Sequence, residues 1–196
     1  MIYSVLRASL WLLALGVAFI SLRFLATPVE ISMPHMAHYL NGFNLALFGH
    51  ILGAPIALAL MPFQFWSRLR RSRPRIHRML GYTIFVAVII SSVSAIALLP
   101  GFLGTPFAAL GFCLLGLLTI YSIIRAVLAA RSRDIALHRR WMLRTAALCF
   151  AAVTLRLIMP FLMIGGMSVA ETYSITAWAS WIPNLIAVEW WIRHRG

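Results

Sequence analysis

Two histidines, His77 and His138, each stand between arginines where a basic loop runs into an apolar stretch. The first lies in Arg-Leu-Arg-Arg-Ser-Arg-Pro-Arg-Ile-His-Arg-Met-Leu-Gly-Tyr at 68–82, the second in Arg-Ser-Arg-Asp-Ile-Ala-Leu-His-Arg-Arg-Trp-Met-Leu-Arg at 131–144. Arg-Ser-Arg, a short spacer, His-Arg and a hydrophobic segment thus occur twice, about sixty residues apart. Two imidazoles on facing helices make the axial pair of a b-type haem, which gives His77 and His138 as candidate metal ligands. Arg75, Arg78, Arg139 and Arg140 are then placed to fork onto the propionates. A quinone is the other redox group that such a place accepts. The plain competing reading is that the same residues anchor helix ends on lipid phosphate.

A second polar pair lies deeper. His50 falls about seven residues, or roughly 10 Å, inside its apolar run, and Arg156 lies at a similar depth in another. Ionisable groups at membrane depth are costly and face a bundle interior or a wet cavity, so His50 and Arg156 are candidates for a polar binding pocket. Arginine cannot shed its proton, and the only acids in the chain are Glu30, Asp134, Glu171 and Glu189. Glu189 and Arg144 lie at the same end of two spans and are expected to pair. The segment Met33-Pro34-His35-Met36-Ala37-His38 mixes ligand types that copper accepts, although coincidence explains it more simply. No nucleotide-binding glycine loop, zinc-protease pattern or serine-centred elbow occurs, and no catalytic residue is identified.

The elements that must hold these residues are membrane helices. Of the 196 residues, 62% are hydrophobic and 11% charged, and the mean hydropathy is +0.92. A soluble domain of this size could not hide that much apolar surface. Six apolar runs are expected to span, at about 8–25, 43–66, 79–99, 107–129, 141–165 and 172–192. The first lacks a small-residue cleavage pattern and reads as an uncleaved helix. Pro55 and Pro62 predict a kink in the second. Cys113 and Cys149 lie inside apolar runs and suggest no disulfide framework.

The net charge of +13 would suggest nucleic acid for a soluble chain, but these arginines flank apolar runs, so anionic lipid head groups are the expected partner. Both basic loops and both termini carry arginine, and the turns at 100–106 and 165–171 carry none. The positive-inside rule therefore puts both termini in the cytoplasm. The loop repeat further suggests a parallel two-fold relation between spans two–three and four–five, which would bring His77 and His138 to related positions.

His50 with Gln64-Phe65, the run Arg75-Ile76-His77-Arg78-Met79-Leu80-Gly81-Tyr82, His138-Arg139-Arg140-Trp141-Met142 and Leu155-Arg156 together resemble a bacterial multi-span membrane family, domain of unknown function 2306. The resemblance runs from about residue 36 to the end, implies a bacterial inner-membrane protein, and carries no activity. More distantly, histidines on successive helices are similar to the di-haem cytochromes b of the ascorbate-reducible type, which have four axial histidines on the second to fifth of six spans. Here the run 107–129 has no histidine, so that likeness implies one haem at most.

The fold expected is thus an all-α integral membrane bundle of six transmembrane helices in one domain over 1–196, with spans two to five as its core. The function expected is electron transfer through one haem b or a quinone near His77 and His138. The alternatives are a non-redox binding or transport protein that uses His50 and Arg156, and an accessory subunit or assembly factor that docks on other membrane subunits. No nucleic acid is expected to bind.

Overall fold

The computed structural model describes the backbone of residues 2–195 and, within it, the side chains of residue 5 and residues 8–194. The side chains of Arg7 and Arg195, both part of the charge count, lie outside the described residues. All regular elements among the described residues are helical, as the apolar runs required. Five helical stretches are long and apolar enough to cross a membrane: Ala8–Leu25, Asn44–Gln64, Pro74–Gly101, Pro106–Arg131 and Ile135–Ile164. The sixth expected run is helical but divided. The contacts group the chain into two compact units that meet in sequence between Ser94 and Ala95.

In the first unit, α1 (Ile2–Ser21) packs on α3 (Asn44–Gln64), with the Trp11 ring edge-on to Phe63 at 5.1 Å and to Trp66 at 6.2 Å. Between them the polar interlude coils into the short α2 (Val29–Ser32) and a 3-10 turn at Pro34–Leu40. Arg23 Nε donates to Ser32 O at 2.6 Å and ties this interlude back to the end of α1. α3 runs through Pro55 and Pro62 as one helix.

The contact between α3 and α5 (Pro74–Ala97) depends on Gly49 and Gly53, four apart and so on one face of α3. A Cβ on Gly53 would stand 2.9 Å from Ala87 O and 3.1 Å from Ser91 Cβ. The α5 residues facing them, Ala87, Ser91 and Ser94, are small and buried, which is the pairing that lets membrane helices approach closely.

The expected loop over 67–78 is largely helical. α4 (Ser67–Ser72) covers half of it, and α5 begins at Pro74, five residues before the apolar run does. Proline suits that first position, because its missing N–H would be unpaired there anyway and its φ is already helical.

In the second unit, α6 (Pro106–Arg131) starts on Thr105, whose hydroxyl accepts from Ala108 N at 3.2 Å. It ends in a left-handed residue, Arg133 at φ 63°, with Arg133 N bonded to Ala130 O and Asp134 N to Ala129 O. That pair of bonds satisfies the last carbonyls of α6. Asp134 then caps α7 (Ile135–Cys149) by accepting from Leu137 N at 2.9 Å. α8 (Ala151–Ile164) follows after a break at Phe150 and closes the same way, with Gly166 at φ 89° as the left-handed residue. Ser168 and Glu171 form a capping box at the start of α9 (Val169–Ala179).

The run expected as the sixth span breaks at Ser180–Trp181 into α9 and α10 (Ile182–Arg195). Pro183 has no N–H to carry the ladder across. Asn184 repairs the gap, with Nδ2 donating to Ser180 O at 2.9 Å and to Thr154 Oγ1 at 3.0 Å.

Gly53→Ala is expected to lower stability by about 1–3 kcal/mol, since the added methyl must push two backbones apart. Gly16→Ala, where a Cβ meets nothing within 4 Å, should instead gain up to about 1 kcal/mol of helix propensity. Unfolding of the two variants in detergent, followed by circular dichroism, checks the contrast.

Candidate functional site

The early helix starts put both histidines on helices. His77 is the fourth residue of α5 and His138 the fourth of α7, each half-buried and each followed by an exposed arginine. Their amides close the first turn in the same way, His77 N on Arg73 O at 3.1 Å and His138 N on Asp134 O at 2.9 Å. An imidazole on a capped helix turn is aimed more narrowly than one in a loop.

His138 is held by its ring as well. Its Nδ1 lies 2.8 Å from Ala126 O on α6. A carbonyl can only accept, so Nδ1 carries the proton, and in the neutral ring Nε2 keeps its lone pair. This is the arrangement by which a backbone oxygen orients a ligating histidine. One turn on, Trp141 lies between two guanidinium groups, with Arg144 Cζ 4.6 Å and Arg125 Cζ 5.3 Å from its ring centre. Tyr121 meets Trp141 edge-on at 5.3 Å and accepts a 3.0 Å hydrogen bond from Arg125 Nη1. The indole Nε1 of Trp141 is buried and has no hydrogen-bond partner among the described residues. Trp141 was not among the residues expected to form the site; its spacing of three from His138 and from Arg144, which puts the three near one helix face, is the signal that could have found it.

Arg144 forks onto Glu189, Nε to Oε1 at 2.5 Å and Nη2 to Oε2 at 2.9 Å, which joins α7 to α10 as the charges had suggested. Arg75, Arg78, Arg139 and Arg140 are exposed around the two helix starts.

His50 lies in the first unit, where its Nδ1 donates to Ser91 O at 3.1 Å, so this deep imidazole links α3 to α5. In the same unit the buried Gln64 donates from Nε2 to His77 O at 3.2 Å. Arg156 belongs to the second unit, is exposed, and donates from Nη1 to Ala152 O at 2.9 Å on its own helix. In the 33–38 segment, Met33 is buried in the core and the His38 ring lies 4.0 Å from that of Tyr39. Among the described residues no three of His, Cys, Asp or Glu gather as metal ligands. A bis-histidine haem needs only two.

Helices of this length and hydropathy, with polar groups bonded to neighbouring helices, define a multi-pass membrane protein. The chain belongs to the family described as Predicted membrane protein (DUF2306), which it matches over residues 47–192. No curated protein and no solved structure matches it.

A double-mutant cycle on Arg144→Met and Glu189→Gln is expected to give a coupling of about 1–2 kcal/mol in thermal unfolding, because the fork is partly shielded. Arg144→Lys should recover under half of it, since an ammonium cannot make both bonds.

Proposed function

We propose that this membrane protein transfers electrons through one b-type haem that His138 would help to hold. The observation that carries the reading is the bond from His138 Nδ1 to Ala126 O, which leaves Nε2 as the ligating atom. The orphan N–H of Trp141 supports it, because a buried indole donor costs about 1–3 kcal/mol unless something accepts from it. A propionate oxygen is such an acceptor, and Arg139 and Arg140 are the cations that would balance the propionate charge. The haem would supply one-electron exchange. The protein's part is to fix the imidazole tautomer, hold the carboxylates and keep lipid between the iron and water.

A quinone is the second reading, and the same two atoms favour it. Nε2 of His138 accepts from a quinol hydroxyl, and Trp141 Nε1 donates to a quinone oxygen. We further infer a bacterial inner-membrane location with the basic helix ends and both termini in the cytoplasm, from the arginines that cluster at 68–78 and 131–140.

Purified protein should show a Soret band that shifts on dithionite reduction, and His138→Ala should remove or convert the low-spin spectrum. A quinone extracted from a colourless wild type would select the second reading. A colourless, quinone-free but folded protein would overturn both and leave solute binding, transport or a subunit role. A cytoplasm-restricted reporter should be active after Gly196 and silent within 100–106; the reverse pattern would invert the orientation.

A further inference from the structure

In the first unit, an apolar groove of about 900 Å³ runs along α3 and α5. Leu45, Phe48 and Leu52 form one wall, and Tyr82, Val86 and Ile90 the other. Its lining includes Gly49 and Gly53, where α5 lies too close to leave room for a Cβ. The α5 wall follows one stripe, Ser94, Ile90, Val86 and Tyr82 in steps of four, and the next residue of that stripe is Arg78. Arg75 follows three residues further on. The groove therefore leads directly into arginine.

From Ser94 to Tyr82 the stripe rises about 18 Å at 1.5 Å per residue. Half of a bilayer's hydrocarbon core is about 15 Å. The groove thus matches one acyl chain of one leaflet, with the cations where that chain's head group would lie. Residues 67–82 contain six arginines and no acid, so no carboxylate of that segment competes for them. A hollow of about 330 Å³ borders Arg73 and Arg75 at the start of the same helix.

We propose that this groove seats one acyl chain of an anionic phospholipid whose phosphate is forked by Arg78 and Arg75. Guanidinium matches two phosphate oxygens at once. A zwitterionic lipid brings the same tail, but its ammonium is repelled by the surrounding arginines, so selectivity comes from the head and affinity from both ends. The site does not rest on the redox reading, since it uses neither His138 nor Trp141.

The second unit supplies the control. Its basic loop carries Arg131 and Arg133 together with Asp134, whose carboxylate opposes the attraction for phosphate. The test is native mass spectrometry of delipidated full-length protein titrated with phosphatidylglycerol, phosphatidylethanolamine or acyl-free glycerophosphate. The wild type should retain one phosphatidylglycerol at least tenfold more tightly than phosphatidylethanolamine. Arg75→Gln with Arg78→Gln should abolish that preference. Val86→Trp, an exposed position that fills the groove, should weaken both lipids about tenfold, and Arg131→Gln with Arg133→Asn should change neither. Equal retention of both lipids by the wild type overturns the site. So does a loss in the Arg131/Arg133 variant as large as in the Arg75/Arg78 one, or glycerophosphate competing as well as the lipid. Circular dichroism melts keep a folding defect distinguishable: a Val86→Trp protein that melts like the wild type and still binds fully also refutes the groove.

Discussion

Hydrocarbon offers no hydrogen bonds, so each polar group on a membrane helix must find its partner within the protein. Several polar groups here do so by bonding across helices. His50 donates to Ser91 O, Gln64 to His77 O, His138 to Ala126 O, and Thr145 to Ser122 Oγ at 3.0 Å. These bonds need close helices, and closeness needs small residues at the crossing. Gly49 and Gly53 supply it between α3 and α5. Gly111 does so between α6 and α9, where a Cβ would stand 2.9 Å from Ala177 O.

The same constraint shapes the ends and breaks of helices. Asp134 and Pro74 begin α7 and α5 well before their apolar runs, so His138 and His77 ride on ordered first turns. At Ser180–Trp181, where Pro183 interrupts the ladder, Asn184 bonds to Ser180 O and reaches Thr154 on α8. Asn184 does for the broken helix what water would do outside a membrane. Trp181 contributes as well, with its indole donating to Ala177 O at 2.7 Å.

The all-helical architecture was legible because apolar runs near twenty residues have few other solutions. The Arg144–Glu189 pair was legible because four acids leave an arginine few partners. Helix starts were not, because hydropathy marks where lipid begins, whereas caps mark where the backbone ladder begins. Arginine is a good helix former, so the basic segments at 74–78 and 135–140 extend their helices outward. The Gly49–Gly53 spacing was present in the sequence, but its meaning depended on which residues of α5 faced it. The role of Trp141 stayed hidden for a similar reason: its arginine neighbours come from α6 and α7, and only the fold joins them.

His138 is where these threads meet, since its ring bond both packs α7 on α6 and leaves the one nitrogen on which the redox reading depends. Nitrogen-15 NMR of protein labelled at histidine, with the signal assigned through His138→Gln, reports the tautomer directly. A protonated Nδ1 with a bare Nε2 that responds to added haem is the expected result. A protonated Nε2, unchanged by haem, would contradict it.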